Sequence, residues 1–189
     1  KRPLLVAGGG VIAADAVPAL RALAVRLNAP VTATQMALGA VASDGPHFIG
    51  HGGLIAGPAL RHAFDHADVV LAVGCRFSSW MWDERGPLVR RAQTLLNINI
   101  DAAALGHPAL HHMALVADAR EALQDLLALL PAGAAQCDAQ WLADLRKRRG
   151  ADEAHLRELA GGPGDVMHPA ALALAIGRAL PADALVVYD

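Results

Sequence analysis

The stretch from Pro3 to Ala13 constrains the fold of this chain more than any other. An apolar run, Leu4-Leu5-Val6-Ala7, empties into Gly8-Gly9-Gly10 and continues as Val11-Ile12-Ala13. It reads as a buried strand, a tight turn and the start of a helix. In that register Gly8, Gly10 and Ala13 satisfy the G-x-G-x-x-G/A nucleotide-binding pattern. Residues without a Cβ let the chain turn sharply and bring backbone close to a phosphate. The N–H groups and positive dipole end of the next helix then face the anion. Glycine-rich strand-to-helix turns also occur in doubly wound folds that hold no nucleotide, so the pattern points to a fold and leaves the ligand open.

The rest of the chain suits parallel strands under Ala- and Leu-rich helices: 54% of the residues are hydrophobic but only 4% aromatic. A length of 189 residues allows one domain with a real core, or one domain and a piece of another. A net charge of -2 provides no electrostatic footprint for nucleic acid. Cys75 and Cys137 lie far apart and form no metal or redox spacing; they read as free thiols of a reducing cytosol. No apolar run reaches membrane-spanning length and no signal peptide opens the chain, so a cytoplasmic location without a membrane partner is expected. The chain begins without Met, and Val186-Val187-Tyr188-Asp189 looks like a strand just ending. Both ends are those expected of a fragment of a longer polypeptide.

Strand and helix patterns alternate along the first two thirds. Asp15 is placed to cap a helix with Val17, Leu20, Leu23, Ala24 and Leu27 on its apolar face. Pro30 to Thr34 reads as a second strand, and Gln35 to Gly57 as a long glycine-rich loop of the kind that serves a ligand or a neighbouring chain. Pro58 opens a helix to about His66. Asp68 to Val73 is a third strand, ending in Gly74-Cys75-Arg76-Phe77, and Ser78 to Pro87 an irregular loop with Trp80 and Trp82. Thr94 to Ile100 and Met113 to Val116 are further strands. Asp118 and Glu121 form a capping box that opens a helix stopped by Pro131. This alternation predicts an α/β fold: a doubly wound, Rossmann-like parallel sheet of five or six strands with helices on both faces.

Past Pro131 the pattern changes. Residues 132–166 read as a helical linker in which Ala139 to Arg149 is helical, Arg146-Lys147-Arg148-Arg149 being a solvated helix end. Gly161-Gly162-Pro163-Gly164 is a break. A helix from Pro169 and a strand from Ala184 to Tyr188 then read as the first piece of a further domain, over residues 167–189.

The order of landmarks is more specific than the fold. Arg2-Pro3 through Gly10 is followed by Ala29-Pro30-Val31-Thr32-Ala33-Thr34, Leu38-Gly39-Ala40 and Ile49-Gly50-His51-Gly52-Gly53. Then come Ala67-Asp68 through Gly74-Cys75-Arg76-Phe77, and Asn99-Ile100-Asp101. Over residues 1–131 this resembles the central domain of thiamine-diphosphate-dependent enzymes of the acetohydroxyacid synthase and 2-oxoacid decarboxylase family. The segment from Met167-His168-Pro169 onward resembles the entry to that family's diphosphate-binding domain. The resemblance implies a three-domain parent that decarboxylates a 2-oxoacid and transfers or releases the remaining unit. Its catalytic glutamate and its Mg²⁺-binding Gly-Asp-Gly…Asn motif lie outside this sequence, so the fragment alone is expected to be inactive and to hold no metal. Its implied partners are sister domains of the same chain and a second subunit, in a homodimer or homotetramer.

In such families the central domain holds FAD, an ADP moiety or nothing. The positions matching a nucleotide site are Gly8, Gly9, Gly10, Thr34, Gly39, Gly52, Gly53, Arg76, Asp101 and Asp118. Arg76 is expected either to bind a phosphate or flavin edge by charge-assisted hydrogen bonds or to pair with Asp83 or Glu84. Three positions depart from the flavin-binding pattern. Arg76-Phe77-Ser78-Ser79-Trp80 lacks a second arginine, Ala117-Asp118 replaces Gly-Asp, and Ala102 stands where a proline often follows the aspartate. These departures keep a second reading open, a structural and oligomerisation module with an empty crevice. Thr34-Gln35 at the end of the second strand lacks the acidic residue of an ordinary NAD site. A sirtuin-type deacylase would need a histidine in the crevice, for which His51 is the candidate, but it would also need zinc-binding cysteine pairs that the sequence does not contain. His62 and His66 share a helix face without the Glu of an H-E-x-x-H site.

Overall fold

A computed structural model describes residues 1–106, 111–131, 133, 136–162, 166–181, 183–184 and 186, and of His111 the backbone alone. The chain divides into two compact units, Lys1–Arg149 and Gly150–Asp189. In chain order the first unit runs β1 (Pro3–Ala7), α1 (Gly9–Ala13), α2 (Val17–Leu27), β2 (Val31–Ala33), β3 (Phe48–His51), α3 (Pro58–His66) and β4 (Val69–Val73). A small hairpin, β5 (Trp82–Asp83) and β6 (Gly86–Pro87), precedes β7 (Thr94–Asn99), β8 (His111–Val116) and α4 (Ala119–Leu129). The first half of α5 (Ala139–Ala160) completes the unit.

Six strands form one sheet in the order β3-β2-β1-β4-β7-β8, every pair parallel. The order reverses between β1 and β4, which creates a topological switch point where ligands of doubly wound folds bind, beyond the carboxyl ends of the strands. Side chains of β1 alternate between two cores. Leu5 and Ala7 join Val11, Leu20, Leu23 and Leu123 on the α1, α2 and α4 side. Leu4 and Val6 join Leu60, Phe64 and Leu145 on the α3 and α5 side. Burial on both faces explains why the strand sequences are continuously apolar rather than alternating.

The structure adds a strand and redraws several local features. β3 lies inside the passage read as a long loop. It is only four residues long, and its register against β2 slips between Val31↔Phe48 and Ala33↔His51, so it leaves no periodic signal. Asp15 does not cap a helix. The chain forms a one-turn helix α1, reverses at Asp15 with φ of 51°, and starts α2 with Ala16 at its cap. The reversal needs a left-handed residue, and short polar side chains tolerate that conformation. Asp118 does cap α4, accepting from the N–H groups of Arg120 and Glu121.

α5 extends beyond Arg149 to Ala160. Within the first unit its Trp141, Leu142 and Leu145 are buried, and the Trp141 indole N–H donates to the Pro3 carbonyl at 3.0 Å. Arg149 spans the Phe48 ring and donates to the carbonyls of Phe48 and Ser43. Part of the basic run is therefore docked rather than merely solvated. The second unit holds the remainder of α5 and α6 (Pro169–Ala179), whose cap is His168, accepting from the Ala170 N–H. The expected strand from Ala184 to Tyr188 and the Pro163-Gly164 part of the break lie outside the described residues, in whole or in part. Among the described residues no helix is long and apolar enough to cross a membrane.

Candidate functional site

Beyond the carboxyl ends of β1, β2, β4 and β7 lies a cleft of about 800 Å³. It gathers eight of the ten residues singled out from sequence: Gly8, Gly9, Gly10, Thr34, Gly52, Gly53, Arg76 and Asp101. Gly39 and Asp118 are not among the residues lining it. The Gly39 carbonyl faces Arg21, and the Asp118 carboxylate is spent on the start of α4 at the far edge of the sheet.

The glycine turn is shaped by protein as much as by any ligand. A Cβ on Gly8 would sit 2.2 Å from the Gly74 carbonyl oxygen, and one on Gly74 would sit 2.5 Å from the Gly10 Cα. The turns after β1 and β4 thus touch backbone to backbone. The Gly8 N–H donates to Val73, the Gly10 N–H to Gly74 and the Val11 N–H to Gly8. These donors, which the sequence pattern would offer to a phosphate, are spent inside the protein, and α1 is too short to present a helix dipole.

Gly74 (φ 60°) and Phe77 (φ 49°) reverse the chain after β4. A bulky residue at positive φ is a true outlier, held only where its surroundings over-determine it. The result exposes Arg76 between them. Arg76 makes no hydrogen bond or ion pair with any described residue. Asp83 is instead taken by Arg85 and Arg90, and Glu84 by Arg61. Asp101 follows β7 at the level at which Arg76 follows β4, each three residues beyond the paired Val73↔Ile98. One Asp101 oxygen accepts from the Ala103 N–H. Between the two strands, buried Asn99 accepts from the Asp101 N–H and donates to the Cys75 carbonyl at 3.3 Å. Burial pushes the Cys75 thiol up to about 11, so it is a neutral thiol and no nucleophile at neutral pH.

Residues that sequence reasoning missed supply the apolar rim: Ile12, Met36, Leu54, Ile55 and Ile100 are large, exposed and lining. They carry no motif, and only their exposure around one opening identifies them. Trp80, flagged for its flat ring, lines the cleft at 61% exposure, whereas Trp82 sits in the hairpin and does not. The Trp80 carbonyl lies against Gly53, where a Cβ would approach it to 2.8 Å, and neighbouring Met81 is buried.

This wall is fastened by an ionic clasp. Asp83, its side chain 2% exposed, accepts from Arg90 at 2.8 Å and Arg85 at 2.9 Å, and both arginines also reach Asp65 on α3. Hydrogen bonds from Arg90 and then Arg85 hold the Asp83 carboxyl well below the usual carboxylate range, against the opposing effect of burial. A depressed folded-state value gives stability that is present above the ordinary value near 3.8 and is lost as pH falls through the folded one. Asp83→Asn is therefore expected to cost about 1–2 kcal/mol at pH 7, since both guanidinium groups lose one charged partner but keep Asp65. Denaturant titrations at pH 7 and pH 3 should show the gap between wild type and variant shrinking in acid; an equal gap at both would refute the clasp.

His51 is not a cleft residue. Its ring stands edge-on to Phe48 at 5.0 Å, and burial, then Arg149, lowers its pKa. His62 and His66 stack at 3.9 Å, and among the described residues no group of three or more metal-ligating side chains is gathered.

Comparison with known proteins gives this geometry a family. Residues 1–126 match the model of the thiamine pyrophosphate enzyme central domain. The chain belongs to that family. Among similar proteins, the acetolactate synthase isozyme 2 large subunit of Escherichia coli is 32% identical over 100% of this chain and 32% of its own length. The acetolactate synthase large subunit of Corynebacterium glutamicum is 31% identical over 98% of the chain and 29% of its own. The probable acetolactate synthase large subunit of Methanocaldococcus jannaschii is 34% identical over 75% of the chain and 24% of its own. The chain thus spans about a third or less of the length of these relatives.

Proposed function

We propose that this chain is the central domain of an acetolactate-synthase-like enzyme, one that decarboxylates a 2-oxoacid and transfers the remaining two-carbon unit. The observation that carries this reading is similarity along the whole chain to an acetolactate synthase large subunit. Thiamine diphosphate supplies the stabilised carbanion in such chemistry. In this reading it and Mg²⁺ are held by other domains of the parent, those that carry the family's catalytic glutamate and its Gly-Asp-Gly…Asn motif. In this division, residues 1–131 form the central domain, 132–166 a linker and 167–189 the entry to the diphosphate-binding domain. The parent is cytoplasmic and assembles through its sister domains and a second copy of itself. The relatives' name of large subunit also supports a separate small subunit.

The central domain's own contribution is to hold a nucleotide such as FAD or ADP in the cleft and to stabilise the assembly. The donor set supports this: a guanidinium without a hydrogen-bond or ion-pair partner among the described residues, a carboxylate one strand away and an apolar rim. Arg76 grips a phosphate, and Asp101 meets ribose or ring polar groups. A second reading, an empty structural crevice, draws support from the inward-spent N–H groups and the single arginine.

The complete polypeptide carrying this chain should release carbon dioxide from 2-oxoacids and form acetolactate only with added thiamine diphosphate and Mg²⁺, while the 189-residue chain alone should not. Absence of that activity in the complete polypeptide would sink the parent reading. A cleft ligand at a hundred times its dissociation constant should stabilise the chain by about 2.7 kcal/mol, visible as a thermal shift. The shift should vanish in Arg76→Ala; no shift with FAD or ADP would favour the empty crevice.

A further inference from the structure

The two edges of the six-stranded sheet are built differently. β3 holds four residues, slips its register against β2 and carries Gly50 at φ 131°, and Arg149 takes its Phe48 carbonyl. Short, irregular and side-chain-capped edges of this kind resist pairing with another strand. β8 has none of these guards. Its six residues, His111–Val116, pair with β7 in unbroken register and include no Gly, Pro, Lys, Arg, Asp or Glu. Among the described residues no strand lies along its outer side. Met113 (68% exposed) and Leu115 (50%) share the sheet face of Leu96 and Ile98, and Val116 (57%) lies on the other face.

The β7–β8 ladder fixes which backbone groups face out. The Ala117 N–H donates to the Asn99 carbonyl, so the groups of Ala114 and Val116, at alternate positions, turn away from β7. An antiparallel second copy centred on Ala114 fits this edge. Ala114 would meet its own counterpart across a two-fold axis and exchange two N–H···O bonds with it. Met113 would then stand directly opposite Leu115 of the second copy, twice over, in the pairs whose side chains approach most closely. Charge fits the same direction. The segment runs from His111 and His112 to Asp118 and Glu121, so antiparallel pairing sets the histidine end of each copy beside the acidic end of the other. A parallel arrangement would set like ends together.

We propose that the outer edge of β8 is a self-docking edge, to which a second copy of this chain adds its own β8, antiparallel and in register at Ala114. This rests on the second-copy assembly proposed above and names its surface. A strand edge about 20 Å long buries less than the roughly 800 Å² per partner of a standard interface. The chain by itself therefore associates weakly and reversibly.

Sedimentation equilibrium of the 189-residue chain at a series of concentrations tests this. A monomer–dimer equilibrium is expected. Leu115→Lys should weaken it more than about tenfold, because a charge replaces an apolar contact at two symmetry-related places. Ala114→Pro should do the same while leaving the β7–β8 ladder intact, since the donor it removes faces outward. Val25→Lys, at a similarly exposed apolar position on α2, should leave the equilibrium unchanged. Circular dichroism establishes that each variant is folded. Oxidation with diamide reads the register: Met113→Cys chains mixed with Leu115→Cys chains should give a mixed disulfide dimer, and neither variant alone should. Cys75 and Cys137 are buried, and wild type supplies their background. A chain that is monomeric at every concentration would overturn the proposal. So would a dimer that survives Leu115→Lys or Ala114→Pro, one that Val25→Lys also abolishes, or disulfide dimers of Met113→Cys alone. None of these outcomes touches the acetolactate-forming reading, which fails only on the activity of the complete polypeptide.

Discussion

Gly8→Ala is expected to destabilise the protein by about 3 kcal/mol, a large share of the roughly 5–15 kcal/mol of an ordinary domain. The added Cβ would meet the Gly74 oxygen at 2.2 Å, the Gly74 carbon at 2.5 Å and the Cys75 Cα at 2.6 Å, all of them backbone atoms. No rotamer change relieves such a clash. The turns after β1 and β4 must separate, which breaks the Gly8 N–H to Val73 and Gly10 N–H to Gly74 bonds. Gly106→Ala is the control: among the described residues nothing lies within 4 Å of a Cβ built there. It should stay within about 0.5 kcal/mol of wild type. Urea titrations of the two variants measure the contrast. A Gly8→Ala protein as stable as wild type would mean that this turn exists for the ligand alone.

The second large effect is expected at Trp141, well outside the strand-helix alternation of residues 1–131. Trp141→Ala should cost about 3–5 kcal/mol, the range for truncating a buried aromatic side chain. The ring is 5% exposed, packs with Leu142 and Leu145 in the core beneath β1 and β4, and donates to the Pro3 carbonyl. Arg2 also lies over its face, 5.9 Å from the ring centroid. A chain ended at Pro131 loses all these contacts and should unfold at lower denaturant than one ended after Arg149. Equal midpoints for the two truncations would show that α5 contributes nothing to the first unit.

Much of this protein was legible in its residues, and the legible part has a common cause. β1, β4 and β7 are buried on both faces, so they appear as unbroken apolar runs. The helices carry their own punctuation: Pro58 at the start of α3, Asp118 at the cap of α4 and Pro131 after its end. Because parallel strands with intervening helices wind in one hand, the alternation also implied a crevice at the carboxyl ends. Arg76 and Asp101 were identifiable as cleft residues because each follows a strand end.

Other features depend on contacts between distant residues, which no local pattern records. β3 is specified by pairing with β2 and not by its own four residues. Whether Arg76 would face the cleft or an acid was undecidable until Arg85 and Arg90 were seen to occupy Asp83, and Arg61 to occupy Glu84. The glycine turn carries the same pattern whether its N–H groups face a phosphate or a neighbouring turn, and only the approach of Gly74 decides between them. The sequence by itself determined a doubly wound sheet and the strand ends where a ligand would sit, because burial and chirality act locally along the chain. Tertiary structure alone decided which donors remain for that ligand, because hydrogen-bond partners are allotted only when separate segments meet.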